Sequence, residues 1–203
     1  MVERLVDRIL SCLFSEQKHV YSYRYVRRCS CAHMPALRAG ISLWDAGSIE
    51  SAPQQIREEI DRLGAESGVA QDLREPITSA QKLGASDHRL YLQCDERGVP
   101  TGFIKVGTKH LFYMTSCGAY VELDPLCVLD FYVCGTQQRR GLGIALFRIM
   151  LEREGGPEPK DLAYDRPSPK LLPFLRKHFG LSDFFEQPNR YVVFDSHSRL
   201  ASA

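Results

Sequence analysis

The segment between residues 126 and 151 constrains the fold more than any other part of the chain. It begins with the apolar, β-branched and aromatic run LCVLDFYV, continues through the turn QRRGLG and ends in an amphipathic helix. An apolar run of this length is typical of a strand buried on both faces, so we expect Leu126–Val133 in the middle of a sheet. A strand, a turn and a helix in this order imply that a helix packs on the sheet.

The turn at residues 138–143 has the composition of a phosphate-binding loop. Its glycines leave room for a ligand close to the main chain, and the following helix N-terminus offers unpaired N–H groups and the positive end of a dipole. Arg139 and Arg140 add formal charge. The spacing is neither GxxxxGK[ST] nor GxGxxG, which argues against kinase, ATPase and dinucleotide-binding functions. We therefore predict a pyrophosphate cradle.

Periodicity and turn signals elsewhere predict an α+β chain. Helices are expected at 2–15, 143–154 and 169–178, and a fourth begins at the capping-box pattern Ser51, Pro53, Gln54 and ends at Gly64. Strands are expected at 21–28, 89–93, 126–133, 162–164 and 191–194, and the strand-like segment 100–114 carries a turn at 107–109, with successive antiparallel pairing in the first half. The three arginines of strand 21–28 fit a solvated face.

Charge and hydropathy exclude several classes of protein. The 26 Lys and Arg against 25 Asp and Glu give a net charge of +1, which argues against a protein built to bind nucleic acid. The longest uncharged run, 110–121, is too short to cross a membrane. Charged residues at 3, 4, 7 and 8 interrupt any secretory signal, so we expect an intracellular protein.

The seven cysteines are an odd number without repeated spacing, which favours free thiols in a reducing compartment. Cys29, Cys31 and His33 form a CxCxH cluster that leaves two interpretations open. It lacks the second ligand pair of a structural zinc site, which favours a polar, cysteine-bearing loop over a metal site. No metal is predicted.

The spacing (Gln/Arg)-x-x-Gly-x-(Gly/Ala) in the turn at 138–143 resembles the coenzyme A pyrophosphate loop of the GCN5-related N-acetyltransferases (GNAT). Four blocks within 51–195 resemble the α-tubulin N-acetyltransferases more closely. They are AQDL with PITSA at 70–80, GFIKVG with LF at 102–112, PLCVLDFYV at 125–133, and DRPS with KLL and FL at 165–175. The resemblance implies a GNAT-like mixed, mostly antiparallel sheet flanked by helices, with splayed central strands.

The resemblance also implies a function and an organisation. The expected reaction is acetyl transfer from acetyl-CoA, the co-substrate, to the ε-amine of a lysine on the lumenal loop of α-tubulin, by direct attack in a ternary complex. The expected partner is α-tubulin in microtubules of the cytoplasm and cilia, with no nucleic acid and no membrane, and the protein is expected to be a monomer. Residues 1–50 form an N-terminal extension, 51–195 the catalytic domain and 196–203 a tail.

Three residues match positions that the family uses for catalysis. A lysine amine with a pKa near 10.4 is almost fully protonated at neutral pH, so something must accept its proton before it attacks. By resemblance Cys127 and Asp165 serve proton removal, and Gln71 is important for catalysis. Each also has an ordinary explanation: a buried thiol that packs as a small hydrophobe, a turn residue and a surface amide.

By resemblance, two segments hold the cofactor. The first contains Phe131, Tyr132, Val133, Cys134, Gly135, Thr136, Gln137, Gln138, Arg139, Arg140, Gly141, Leu142, Gly143 and Ile144; the second contains Ser168, Pro169, Lys170, Leu171, Leu172, Pro173, Phe174, Leu175, Arg176 and Lys177. Basic side chains of the second segment either meet phosphates or form the solvated face of a helix. Leu142 and Ile144 are apolar, and Ile144 stands where the family pattern has a polar or basic residue.

Specificity for tubulin must come from the surface of the protein, because the acetyl-transfer reaction is the same for any lysine. Lys105, Lys109 and His110 are predicted as a basic cluster suited to acidic tubulin, or as a solvated hairpin. Two rival functions stay open: a GNAT-fold acetyltransferase for another protein lysine or a small amine, and a non-catalytic microtubule- or coenzyme-binding module.

Overall fold

A computed structural model of the chain describes residues 39–115 and 118–194. The predicted helix at 2–15, the predicted strand at 21–28 and the CxCxH cluster at 29–33 lie outside these residues. Within the described residues, no helix is both long and apolar enough to cross a membrane.

The described chain contains five α-helices and nine strands, besides two short 3-10 helices at Gly135–Gln137 and Pro159–Asp161. The helices are α1 (Ala46–Glu50), α2 (Gln54–Ala70), α3 (Ala80–Gly84), α4 (Leu142–Arg153) and α5 (Leu171–Phe179). The strands are β1 (Gly40–Trp44), β2 (Arg89–Cys94), β3 (Pro100–Thr108), β4 (Leu111–Met114), β5 (Tyr120–Leu123), β6 (Leu126–Val133), β7 (Ala163–Asp165), β8 (Phe184–Glu186) and β9 (Tyr191–Phe194).

Seven strands form one mixed sheet in the order β1-β2-β3-β6-β7-β9-β8, which places β6 fourth, at the centre. This confirms the central position predicted for the apolar run. All pairs are antiparallel except β6 with β7, which are parallel and joined through α4. The observed sheet has the mixed, mostly antiparallel character that the sequence predicts.

Helices cover both faces of the sheet. Buried side chains of α4 and α5 pack with Tyr91, Ile104 and Val128 on one face. On the other face α1, α2 and α3 pack with Leu90, Leu92 and Phe103. The alternation of Leu90, Tyr91 and Leu92 between the two faces follows from the two-residue period of a strand.

The helix predicted to end at Gly64 continues to Ala70, so that prediction is wrong. A Cβ at Gly64 would lie 1.9 Å from the carbonyl oxygen of Thr78, so glycine here permits close approach of a loop and does not end the helix. The predicted capping box is also wrong. Pro53 is the N-cap of α2 and supplies no side-chain cap, while Ser51 is the C-cap of α1.

The strand-like segment predicted at 100–114 is two strands, and the break between them at 109–110 overlaps the predicted turn at 107–109. β3 ends at Thr108 and pairs with β6, whereas β4 pairs with β5 in a separate two-stranded hairpin. The buried face of this hairpin, with Leu111 and Tyr113, packs on Cys127 and Leu129 of β6. The hairpin therefore covers one side of the central strand, on the same face as α2.

Candidate active site

The central strand β6 has two halves with different partners. Its whole length pairs with β3, from Thr108 opposite Leu126 to Gly102 opposite Val133. Pairing with β7 is limited to Cys127 opposite Ala163 and Val128 opposite Tyr164. The ladder between the two parallel strands ends at Val128, as the predicted splay requires. We call the space between them the gap, and the gap-facing backbone of 129–133 has no ladder partner in β7.

An irregularity in β6 marks the junction of its two halves. Val128 pairs with Val106 and Asp130 pairs with Lys105, so Leu129 is an extra residue without a partner in β3. One extra residue in an antiparallel pair is a β-bulge, which bends the strand and redirects its neighbours. The bulge lies where the ladder between β6 and β7 ends.

The predicted cradle lies where β6 leads into α4. Gly141 is the N-cap of α4 with a φ of 82° and no side-chain cap, so the first N–H groups of the helix are open to a ligand. A Cβ at Gly141 would meet no protein atom within 4 Å, so the space in front of it is open. The Gln138 Nε2 donates to the carbonyl of Val133 at 2.8 Å and fixes the turn. Arg139 and Arg140 are exposed beside it.

The second glycine of the turn has a packing role. A Cβ at Gly143 would lie 3.4 Å from Phe131 and 3.6 Å from Phe174, so the start of α4 sits directly on these rings. Phe131, Phe147 and Phe174 form an aromatic cluster with centroid separations of 5.3 to 5.9 Å. Phe147 is fully buried in the main core, and Phe131 and Phe174 pack against it as partly exposed apolar surface at the start of α4.

The second predicted cofactor segment divides between core and surface. Leu171 and Leu175 of α5 are buried in the main core, whereas Lys170, Arg176 and Lys177 are exposed. Arg176 and Lys177 stand in the last turn of α5, where positive charge favours the helix dipole. Lys170 stands at the N-cap of the same helix.

Cys127 and Asp165 lie on the paired strands at the start of the gap. The Cys127 thiol is fully buried and donates to the carbonyl of Pro125 at 3.4 Å. Burial, together with the nearby Asp165 charge, raises the pKa of Cys127 to about 12. The thiol is therefore neutral at physiological pH. The two predicted residues are close enough for the charge of one to act on the other.

Asp165 is the more accessible of the two. Its side chain is 13% exposed, and its two oxygens accept from Nε and Nη2 of Arg166 at 2.9 and 3.1 Å. Arg166 has a positive φ of 41° and donates its main-chain N–H to the carbonyl of Arg190. The carboxylate is thus oriented by a neighbouring guanidinium.

Two residues beside this pair, Tyr191 and Gln187, are not predicted as site residues from the sequence. Tyr191 pairs with Asp165 across β7 and β9, and burial together with the Asp165 and Cys127 charges raises the pKa of its phenol to about 12. Buried Gln187 accepts from the Met114 N–H at 2.7 Å and donates to the Met114 carbonyl, which fixes the β4–β5 hairpin beside the site. No local pattern marks either residue, since both act across long sequence separations.

Gln71 belongs to a different cluster. It is the C-cap of α2, and its Nε2 donates to Ser67 Oγ at 2.9 Å and to Asp130 Oδ1 at 3.1 Å. Asp130 is 5% exposed and also accepts from Ser67 Oγ at 2.9 Å and Thr78 Oγ1 at 2.6 Å. The sequence signal for this cluster is Asp130 itself, an acidic residue inside an apolar strand. The sequence pattern alone does not identify the residues that hydrogen-bond to it.

The basic cluster predicted for tubulin is wrong for Lys105. Lys105 is 3% exposed, and its Nζ donates to the Ile77 carbonyl at 2.7 Å. Burial lowers its pKa to about 8, while the Asp130 charge opposes that shift. His110 is exposed, but its ring nitrogens face Asp124 at 2.9 Å and Glu122 at 3.4 Å. Lys105 is an internal residue, and His110 is already paired with acidic groups.

Within residues 39–115 and 118–194, no three His, Cys, Asp or Glu side chains are grouped to hold a metal ion. The site is built from main-chain donors, a carboxylate, a thiol and aromatic surface. A family model described as "GNAT acetyltransferase, Mec-17" matches residues 37–202. The chain belongs to this family.

Curated relatives of this Mec-17 family member carry a common name. The chain is 45% identical over 159 residues to the α-tubulin N-acetyltransferase of Phytophthora infestans, covering 70% of this chain and 88% of the relative. It is 49% identical over 154 residues to α-tubulin N-acetyltransferase 1 of Danio rerio, covering 73% of this chain but 52% of that relative. The chain thus spans most of one relative and about half of the other.

Solved structures support the GNAT fold of this family member. The xEco2 acetyltransferase domain, solved bound to a K105-CoA conjugate, superposes with a TM-score of 0.51. The match covers 77% of this chain and 92% of that domain at 9% identity, so it is a likeness of fold alone.

Proposed function

We propose that this chain transfers the acetyl group of acetyl-CoA to a lysine ε-amine of α-tubulin. The observation that carries the proposal is the gap: the ladder between β6 and β7 ends at Val128, and β6 leads on into a cradle of main-chain donors at Gly141. Family membership and the names of the relatives supply the acceptor. The catalytic unit in this proposal is the segment 51–195, to which β1 adds an edge strand.

The residues present fit acetyl-CoA. The open N-terminus of α4 suits the pyrophosphate, and exposed Arg139 and Arg140 add positive charge. The aromatic cluster around Phe131 and Phe174 suits the apolar part of the pantetheine arm. Acetyl-CoA supplies an activated thioester. Main-chain N–H groups of β6 that face the gap are the donors expected to stabilise negative charge on the thioester oxygen.

Proton removal from the lysine falls to Asp165 in this proposal. Asp165 is partly exposed at the gap, whereas Cys127 is buried and, with a pKa near 12, holds its own proton. A carboxylate can accept a proton directly or through water. Cys127 then packs beneath the acceptor site and shields the carboxylate from one side.

The test incubates microtubules with radiolabelled acetyl-CoA and the purified chain, with Asp165→Asn as the matched control. We expect label on α-tubulin, at one lysine identified by mass spectrometry, and background label with the variant. Equal labelling with the two proteins would reject the assignment of Asp165. Absence of label with both would reject tubulin as the acceptor.

The same assay separates the rival functions. Label on histone peptides, free lysine or polyamines in place of tubulin would identify an acetyltransferase with another acceptor. Co-sedimentation with microtubules in the absence of turnover on every acceptor identifies a non-catalytic binding module.

A further inference from the structure

The buried carboxylate of Asp130 is the least expected group in the central strand. Its Oδ1 accepts from Ser67 and Gln71, and its Oδ2 accepts from Thr78. A buried charge is weak evidence for stability, because an apolar residue of similar size is often equally stable. Three donors aimed at one buried carboxylate therefore indicate a role in fixing geometry.

The donors come from separate parts of the chain. Ser67 and Gln71 lie in the last turn of α2 and at its C-cap, and Thr78 lies in the loop that follows. Lys105 of β3 is the register partner of Asp130, and its Nζ donates to Ile77 of the same loop. The cluster therefore ties α2, the 76–79 loop and β3 to one residue of β6.

The position of that residue is specific. Asp130 directly follows Leu129, the extra residue of the bulge, and the register returns to normal at the Asp130–Lys105 pair. An anchored side chain at the end of a bulge limits how the peptide groups within it can rotate. Those peptide groups border the gap, where β6 has no partner in β7.

We propose that Asp130 is a positioning residue that fixes the bulge of β6, so that its main-chain N–H groups point at the thioester oxygen in the gap. Gln71 then acts through Asp130, as a second positioning residue. This inference rests on the proposed function, since it concerns the binding of the acetyl group in that reaction.

The test uses isosteric variants of the cluster. Asp130→Asn removes the charge, Thr78→Val removes one donor, and Gln71→Leu removes another. The matched control is Asp61→Asn, because Asp61 of α2 accepts from the Ala80 N–H at 2.7 Å and so joins α2 to the chain just after the same loop without touching β6. A general loosening of α2 and the loop would affect the control equally.

The primary measurement is the carbonyl stretching frequency of bound acetyl-CoA labelled with ¹³C at the thioester, which falls when the oxygen accepts hydrogen bonds. We expect a lowered frequency with the unmodified protein, most of that shift lost in Asp130→Asn and part of it lost in Thr78→Val and Gln71→Leu. We expect kcat to fall by about 10²-fold, the magnitude of losing one oxyanion donor. The Kd for acetyl-CoA should change less than about threefold, because the cradle is separate, and Asp61→Asn should match the unmodified protein.

The pH profile separates positioning from proton transfer. Asp130→Asn should lower kcat by the same factor at every pH, since the proposed proton acceptor Asp165 is intact. An unshifted carbonyl frequency in the unmodified complex, an unchanged shift in Asp130→Asn, or an equal loss in Asp61→Asn would each overturn the inference. If Asp130→Asn does not fold, Thr78→Val and Gln71→Leu decide by the same criteria.

The spectroscopic measurement needs no acceptor. A protein that shows the frequency pattern but does not label tubulin supports the positioning role and rejects the proposed acceptor. A protein that labels tubulin without the frequency pattern rejects the positioning role alone.

Discussion

The two halves of β6 differ in what surrounds them, although they belong to one continuous run of similar residues. The first half pairs with β3 and β7 and buries Cys127 completely. The second half pairs with β3 alone, faces the gap and ends in the open cradle at Gly141. A strand can thus serve as core at one end and as a ligand-binding edge at the other. The difference arises where the ladder with β7 ends and Leu129 is inserted.

The largest expected effect lies at the boundary between the halves. Asp165→Asn keeps the shape of the side chain and removes the proposed base, so kcat on tubulin should fall by about 10²- to 10⁴-fold. The Tm should change little, because the side-chain partner of the carboxylate within the described part of the chain is its exposed neighbour Arg166. Steady-state kinetics and a thermal melt measure both. A large drop in Tm would indicate that Asp165 is structural.

The closed half makes a different prediction for Cys127. Since its pKa is raised to about 12, Cys127→Ala should lower kcat by a factor, about tenfold or less, that is the same from pH 6.5 to 9.5. The kcat of the unmodified protein is divided by that of Cys127→Ala at each pH, so that ionisation of the acceptor lysine, which affects both proteins equally, cancels. A thiolate base would instead make the ratio rise about tenfold per pH unit. Such a slope would transfer the role of base to Cys127.

The open half is tested at the cradle. Gly141→Val places a side chain in the space where the pyrophosphate is expected, and the Kd for acetyl-CoA should rise by about tenfold or more. Gly156→Val is the matched control, because Gly156 also has a positive φ, 77° against 82°, with open space around it, beyond the other end of α4. Both variants should lose similar stability, but only the first should lose affinity. An equal loss of affinity would show that backbone strain, not the cradle, is responsible.

The junction between the halves is sensitive to pH. Burial lowers the pKa of Lys105 to about 8 from an ordinary value of 10.5, so the folded protein binds fewer protons than the unfolded chain between these values. Stability relative to Lys105→Met should therefore rise as pH increases through this window, by about 2 to 3 kcal/mol. Urea unfolding at pH 7.5 and pH 10 measures the difference. An identical difference at the two pH values would show that Lys105 titrates normally.

Local pattern predicts the continuous elements but not the contacts between them. The bounds of β6 and β9 match the prediction because a buried apolar run and its flanking turns determine them. Lys105 is mispredicted as exposed because its burial depends on a loop 28 residues earlier in the chain that supplies the Ile77 carbonyl. The sequence predicts a helix end at Gly64, but glycine is needed there because the Thr78 carbonyl lies close to its main chain. Sequence spacing does not reveal that contact.

The candidate site divides in the same way. The glycine turn, Cys127 and Asp165 carry motifs and are predicted from sequence. Asp130 and Tyr191 depend on contacts between distant elements, so they are visible only in the fold.

The smallest expected effect concerns the hairpin beside the closed half. Lys105 is internal and His110 is paired with the exposed acidic groups Glu122 and Asp124, so the aromatic side chains of the hairpin are the better candidates for a contact: Phe112 is 55% and Tyr120 63% exposed on its outer face. Exposed aromatic side chains beside a site are typical of a protein contact. Phe112→Ser and Tyr120→Ser should each raise the KM for microtubules by about three- to tenfold and leave kcat on free lysine unchanged. Val99→Ser, an exposed apolar residue in the turn between β2 and β3, should change neither value. If the KM is unchanged in both aromatic variants, tubulin is recognised elsewhere on the surface.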